Sequence, residues 1–282
     1  MGIIWNKIKI DDHFKNLENL YAHRTKRDTE SLIDHLDRCF EVFENISKKK
    51  KIEEIVDKTL NTISIKKGLI DKGYLSPNCK ELIKDMFANT IYLHDAGKIN
   101  PYMQYDRLSN EKILKEGVPN LTALNTDHSP LSALIYIDIF YPKTKELDKK
   151  HERDFTQYLL ICFAFVMSCH HGNLYNMEDW LEKIEKTKGE IVAKEGYCHF
   201  YKKKIDFKFN PEFVFSYVKK NSIDFDGYLI YILTKLLQSL LISCDFISTY
   251  QYFNRIKDAK VNLELIENAP EIFDVYKDSE IY

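Results

Sequence analysis

The segment IYLHDAGKINPYMQ, residues 91–104, places a histidine and an aspartate side by side at the end of an apolar run. Upstream, Ser76 followed by proline is typical of the start of a helix. Apolar side chains then recur at helical spacing, which predicts a buried helix: Leu82, Ile83, Met86, Phe87, Thr90 and Ile91. His94 and Asp95 therefore fall at its carboxyl end, and Gly97 is predicted to terminate it.

Four further segments show the same apolar, helical character, and a polar loop separates two of them. The helical segments are residues 30–47, 127–140, 155–174 and 226–253, and the loop is 106–126. We therefore predict one mainly α-helical domain over residues 1–253, followed by a polar C-terminal tail or linker over 254–282. The lysine-rich stretch 201–209 alternates in polarity, which predicts a small β-strand or hairpin.

The composition and the N-terminal sequence limit how the protein could bind nucleic acid and predict its compartment. Among 282 residues the formal net charge is only -2, so any binding of nucleic acid must come from a local patch. The six cysteines form no CxxC pair and several lie in apolar runs, which favours a reducing compartment. The N-terminus lacks the plan of a secretory signal, and the run YLLICFAFVM is too short to span a membrane. We expect a cytoplasmic protein without membrane contact.

Several histidines and one aspartate share the setting of the His-Asp pair, because they lie on or at the end of predicted buried helices. They are His35, His128, His170, His171 and Asp245. Each one alone is compatible with a hydrogen-bonded core residue or a helix cap. Burial of a carboxylate is costly unless a cation neutralises it. Together with His94 and Asp95 they predict a site for two divalent metal ions, with Asp95 bridging both.

The order H…HD…H…HH…D resembles the HD superfamily of metal-dependent phosphohydrolases. Four motifs resemble more closely the HD nuclease domain of the CRISPR type I nuclease-helicase, CRISPR-associated protein three: LHDAGKINPYMQ, HSPLSA, CHHGNL and LISCD. The resemblance extends from about residue 20 to about residue 250. Its most specific parts are the spacing from Lys98 to Gln104 and the HHG triplet at 170–172.

The resemblance implies an HD-domain helical bundle that cleaves single-stranded DNA in antiviral CRISPR interference. The residues implied for the first metal ion are His35, His94, Asp95 and Asp245, and those for the second are Asp95, His128, His170 and His171. Asp95 and Lys98 would be catalytic, and Lys98 and Gln104 would contact substrate. An imidazole-rich set favours manganese, iron, cobalt, nickel or zinc over magnesium.

The resemblance also implies partners, namely a helicase subunit or domain and an RNA-guided surveillance complex. The chain has no GxxxxGK[ST] phosphate loop, since Tyr92 occupies the position where that motif needs its first glycine. We therefore expect either a free-standing nuclease subunit or the nuclease domain of a longer protein. Both alternatives stay open at this point.

One surface segment is a candidate for DNA contact. The stretch CHFYKKKIDFKF, residues 198–209, interleaves aromatic side chains with Lys202, Lys203 and Lys204, a combination suited to unpaired bases and phosphates. A solvated surface hairpin is the alternative. Two other functions also remain: an HD phosphohydrolase acting on nucleotides or cyclic dinucleotides, and a non-catalytic adaptor.

Overall fold

The protein is mainly α-helical, as the sequence predicted. The computed structural model describes residues 5–25, 28–67, 70–117, 126–171, 176–194, 196–205, 209–211, 223–225 and 227–255. The helices with described bounds are α1 (Leu32–Lys50), α2 (Ile52–Thr62), α3 (Pro77–Tyr92), α4 (Ser129–Lys145), α5 (Lys150–Ser168), α6 (Met177–Ala193) and α7 (Gly227–Phe253). Each helical segment predicted from periodicity corresponds to one of these helices. The tail predicted over 254–282 lies outside the described residues beyond Arg255 and stays a prediction.

The β-structure is small and antiparallel. Strands β1 (Tyr21–Arg24) and β2 (Thr29–Ser31) form a hairpin, and β3 (Ser64–Lys67) lies between β4 (Ile70–Tyr74) and β5 (Ile223–Phe225). A small hairpin is therefore present, but at a different place from the one predicted.

The lysine-rich stretch does not form the predicted strand within its described part. Tyr201 makes only an isolated bridge to Phe14, and residues 206–208 lie outside the description. The backbone N–H of Lys202 donates to the carbonyl of His13 at 2.8 Å. This stretch is therefore held by the irregular N-terminal segment and not by a partner strand.

The core is built from the apolar faces of α1, α3, α4, α5 and α7. Every residue of the apolar stripe predicted for α3 is buried. Trp5 packs against Phe43 and Phe87 with ring centroids 5.1 and 5.9 Å apart, which joins the N-terminal segment to α1 and α3. These contacts fix the position of α1, which carries His35, relative to α3, which precedes the His-Asp pair.

Helix α7 is long and apolar enough to cross a membrane by length and composition, and it is the one described helix with that property. Its buried side chains pack against α1, α5 and α3. Asp245 lies on the buried part of this helix and is only 7 % exposed. The helix therefore brings a carboxylate into the interior of the bundle.

Gly97 has a different role from the one predicted. Helix α3 ends at Tyr92, and Gly97 lies beyond it in a 3₁₀ turn, Ala96–Ile99, so the prediction that Gly97 terminates the helix was wrong. A Cβ at this position would lie 1.9 Å from the carbonyl oxygen of His128. The Gly97 N–H also donates to Ser132 Oγ at 2.7 Å. Glycine is needed because the turn after α3 packs directly against the start of α4.

Candidate metal centre

Seven residues predicted to bind metal converge on one pocket. They come from α1 (His35), the segment after α3 (His94 and Asp95), the residue before α4 (His128), the segment after α5 (His170 and His171) and α7 (Asp245). Six of the seven are buried, and His171 is exposed. Residues that are more than 200 positions apart in the chain thus share one polar pocket inside the bundle.

The carboxylate of Asp95 lies at the middle of the pocket, and its two oxygens face different histidines. Oδ2 is 3.3 Å from His35 Nε2 and 3.6 Å from His94 Nε2. Oδ1 is 3.0 Å from His128 Nε2 and 3.3 Å from His170 Nε2. Each oxygen is therefore associated with its own pair of imidazoles.

The side chains form two main groups that could hold a metal ion, and in each the ligand atoms lie within 4.8 Å of one another. We call them the inner group and the outer group. The inner group is His35, Cys39, His94 and Asp245, and the outer group is Asp95, His128, His170 and His171. A third combination, His23 with His35 and Asp95, lies beside the inner group.

Unpartnered atoms indicate that the pocket suits a cation. His94 Nε2, Asp95 Oδ1 and His170 Nε2 are buried and have no hydrogen-bond partner within the described structure. A buried polar atom without a partner costs about 1–3 kcal/mol. Ligand atoms bound to one ion at about 2.0–2.1 Å lie about 2.9 Å apart in an octahedral arrangement and about 3.3 Å apart in a tetrahedral one. The nitrogen–oxygen distances around Asp95 are close to these values.

Two of the imidazoles are oriented by backbone carbonyls. His94 Nδ1 donates to the carbonyl of Ile91 at 2.9 Å, and His170 Nδ1 donates to that of Met167 at 2.6 Å. With Nδ1 protonated, Nε2 of each ring is a free acceptor that points into the pocket. This arrangement is common in histidines that bind metals.

Behind the inner group lies a layer of polar residues, in which Lys98 joins two residues that were not predicted from the sequence, His23 and Glu30. Glu30 Oε2 is 2.8 Å from His23 Nδ1 and 3.3 Å from His35 Nδ1. Lys98 Nζ is 2.7 Å from Asp95 Oδ2 and 3.3 Å from His23 Nε2. His23 and Glu30 pair across the hairpin β1–β2, so no helical pattern in the sequence marks them.

The charges of the pocket favour ionised carboxylates. Burial opposes ionisation of Glu30, but the charge of His35 and the hydrogen bond from His23 outweigh it and lower the pKa of Glu30 to about 2. Burial is likewise outweighed at Asp95, where Lys98 and His94 hold the pKa well below its ordinary value. Burial is also outweighed at Asp245, where His35, with its Nε2 3.3 Å from Asp245 Oδ1, holds the pKa well below its ordinary value. The pocket therefore holds ionised carboxylates close to imidazole nitrogens, and both kinds of group are ligands of divalent transition metals.

Two residues predicted to contact substrate, Lys98 and Gln104, are buried and bound to other parts of the protein. Lys98 is only 3 % exposed and is bound to Asp95. Gln104 is buried, and its amide donates to the carbonyls of Tyr21 and Lys98 while its oxygen accepts from Tyr21 and Asn110. The amide of Gln104 is thus fully used within the protein, and it has no group left for a substrate in this conformation.

The three lysines at 202–204 are exposed. Lys202 Nζ donates to the carbonyl of Asp11, in the N-terminal segment. None of their described contacts reaches a candidate metal ligand. Contact between these lysines and DNA stays a prediction.

A cavity of about 280 Å³ opens beside the outer group. His171 lines it together with Ser129, Ser168 and Lys183. A larger cavity of about 430 Å³ lies between the N-terminal segment, α2 and α3, and none of the seven candidate ligands lines it. Of these two cavities, the smaller one therefore borders the candidate centre, at His171.

Comparison of the chain with protein-family models, with curated proteins and with solved structures gave no match. The functional interpretation therefore depends on the geometry of the centre and on the resemblance of its motifs.

Proposed function

We propose that this protein is a two-metal nuclease of the HD type that hydrolyses phosphodiester bonds in single-stranded DNA. The observation that carries the proposal is the position of Asp95, whose Oδ2 faces His35 and His94 while its Oδ1 faces His128 and His170. A carboxylate in this position can bridge two ions, and an aspartate serving one ion does not need both sets of imidazoles.

Each group of side chains has a defined part in this proposal. Two divalent ions, when bound, supply a water of lowered pKa and stabilise the charge that develops on the phosphate and the leaving oxygen. Asp95 fixes the two positions relative to each other, and the imidazoles hold them in place. Lys98 is buried against Asp95, so it orients that carboxylate and offsets its charge. This role of Lys98 differs from the direct contact with substrate expected from the sequence.

The substrate approaches from the side of the outer group. His171 is exposed there, and Ser129 and Lys183 line the adjoining cavity. A hydroxyl and an ammonium group are suitable donors to phosphate oxygens. A phosphodiester seated between them and His128 would lie against the outer position, while the inner position stays enclosed.

The biological setting follows from the resemblance of the motifs. We place the protein in the cytoplasm, as the nuclease component of type I CRISPR interference. It would act with a helicase subunit or domain and be delivered by an RNA-guided surveillance complex. The exposed Lys202, Lys203 and Lys204 would contribute contacts to the single strand.

An HD phosphohydrolase acting on nucleotides or cyclic dinucleotides is the second candidate. The cavity beside His171 favours it, because about 280 Å³ is close to the lower limit of pockets that enclose a small ligand. A nuclease needs a path for continuous DNA, whereas a nucleotide hydrolase needs only such an enclosed site.

Metal content and substrate range together test the proposal. Wild-type protein, Asp95→Ala and the surface control Asp106→Ala are reconstituted with manganese, analysed for metal and assayed on a single-stranded DNA circle and a nucleotide panel. We expect about two ions per chain in wild type and control, with opening of the circle, and loss of both ions and of cleavage in Asp95→Ala. Hydrolysis of nucleotides without cleavage of the circle would favour the second candidate. Protein that binds no metal would exclude both.

A further inference from the structure

The inner group contains a thiol that the metal sites predicted from the sequence did not include. Cys39 lies one turn after His35 on α1 and is completely buried. Its Sγ is 3.6 Å from His35 Nε2 and 2.9 Å from Ser248 Oγ on α7. One atom each from Cys39, His35, His94 and Asp245 lie within 4.8 Å of one another.

The spacing of these atoms is that of four ligands around one tetrahedral ion. A thiolate bound at about 2.3 Å and an imidazole bound at about 2.05 Å lie about 3.6 Å apart in such a site, and an imidazole and a carboxylate lie about 3.3 Å apart. The distance from Cys39 Sγ to His35 Nε2 is 3.6 Å. Asp245 Oδ1 is 3.3 Å from His35 Nε2 and 3.5 Å from His94 Nε2.

A second observation points to an occupant of the inner group. His94 is completely buried and its Nε2 points into the group, but this atom has no hydrogen-bond partner in the described part of the chain. Hydrogen bonding between Cys39 and Ser248 explains the position of the thiol, but it leaves His94 Nε2 unsatisfied. An ion at the inner position would satisfy both side chains.

We propose that Cys39 is a ligand of the inner metal ion, which it binds as a thiolate after releasing its proton to solvent. This inference rests on the proposed function, because it presupposes an ion in the inner group. A thiolate with two imidazoles and one carboxylate selects a borderline-soft divalent ion such as zinc, cobalt or iron and disfavours magnesium. The outer group has no sulfur ligand and an open side, and it takes the ion that meets the substrate. The two positions therefore differ in the class of metal that they accept.

Cobalt(II) reports this coordination directly, since thiolate ligation adds a near-ultraviolet charge-transfer band to the visible bands of tetrahedral cobalt. Metal-free wild type, Cys39→Ser and Cys244→Ser are each titrated with cobalt. Cys244 is the buried thiol next to Asp245 and serves as the matched control. We expect the near-ultraviolet band in wild type and Cys244→Ser, and its loss in Cys39→Ser while the visible bands persist. In competition titrations, Cys39→Ser lowers the affinity for zinc at one position by roughly tenfold or more and changes the affinity for manganese much less.

The outcomes separate this inference from the proposed function. Wild type that binds two cobalt ions and cleaves DNA without a thiolate band would overturn the role of Cys39 and leave the nuclease proposal intact. A band that persists in Cys39→Ser would also overturn it. Wild type that binds no cobalt would overturn both proposals. If Cys39→Ser does not fold, the spectra of wild type and Cys244→Ser decide, because a band retained in the control leaves Cys39 as the thiol within reach of the inner group.

Discussion

Helices α3 and α5 end in the same way, although their sequences differ. The residue after each helix has nearly identical backbone angles: φ -100° and ψ 6° at Leu93, and φ -101° and ψ 7° at Cys169. A histidine follows in both cases, and its Nδ1 donates to a carbonyl three residues earlier. One local backbone arrangement thus directs both His94 Nε2 and His170 Nε2 into the pocket.

The ends of α3 and α5 differ in the residue that follows this histidine. Asp95 is 1 % exposed, is bound by Lys98 and lies between the two groups. His171 is exposed, and its Nε2 is 3.0 Å from His128 Nε2 beside the cavity. The comparison indicates a closed inner position and an outer position open to solvent. Substitutions at matched places on the two ends can test this difference.

The largest effect is expected at Asp95. Asp95→Asn keeps the shape of the side chain but removes the charge that both groups share, so we expect cleavage to fall by roughly 10³-fold or more. In the metal-free protein, Lys98 is left buried without its carboxylate partner, which lowers the free energy of unfolding by about 3–5 kcal/mol. Metal analysis, cleavage rates and urea unfolding measure these effects. If Asp95→Asn binds metal as wild type does, Asp95 does not bridge two metal ions.

The equivalent histidines test whether the positions are separate. His94→Ala is expected to empty the inner position and His170→Ala the outer one, each with cleavage reduced on the order of 10²–10³-fold. His151→Ala, on α5 but away from the pocket, is the control. Cobalt spectra and metal analysis of each variant identify the ion that is lost. Loss of both ions from both variants would mean that the groups bind metal as one unit, and the comparison of two helix ends would fail.

The sequence predicted the positions of the candidate metal ligands better than their surroundings. His35 and Asp245 lie on helices, and His94 and His170 follow helix ends, so their placement on or at the end of buried helices could be predicted from the apolar pattern. The partners of these residues depend on contacts between distant elements. Glu30 reaches His35 through the hairpin β1–β2, and Lys98 meets His23, 75 positions earlier in the chain.

Gly97 illustrates the same limit. Its position after a helix suggested a terminator, whereas the reason for glycine is the backbone of His128 on another element. Periodicity reports which face of a helix is buried, but it does not report which element covers that face.

Glu30, behind the inner group, should make the free energy of unfolding depend on pH in the acid range. Its pKa is lowered from 4.5 to about 2, so the ionised carboxylate stabilises the folded protein. This contribution, about 3 kcal/mol, is complete above pH 4.5 and is lost as the pH falls towards 2. In Glu30→Gln, the free energy of unfolding of the metal-free protein should therefore fall less steeply with acidification over this interval. Glu41→Gln, an exposed substitution on α1, should retain the wild-type slope, and an identical slope in Glu30→Gln would contradict the prediction.

Glu30→Gln should also weaken metal binding, but only at the inner position. Glu30 Oε2 lies 3.3 Å from Nδ1 of His35, and loss of such a carboxylate neighbour typically lowers metal affinity by about 10–100-fold. The affinity of the inner position should fall by this factor, while the outer position, whose histidines do not contact Glu30, should be unchanged. Isothermal titration with cobalt resolves the two positions. An equal loss at both would show that the layer behind the inner group also supports the outer one.

The smallest effect is expected at His171, the candidate ligand that is exposed to solvent. Water can replace an exposed ligand at an open coordination position, so His171→Ala should weaken the outer ion by roughly tenfold. Excess manganese should then restore cleavage. His170→Ala, which removes a buried ligand of the same group, should not recover, because water has no access to that side. If His171→Ala stays inactive at saturating manganese, His171 acts on the substrate itself, and the two helix ends differ in function as well as in exposure.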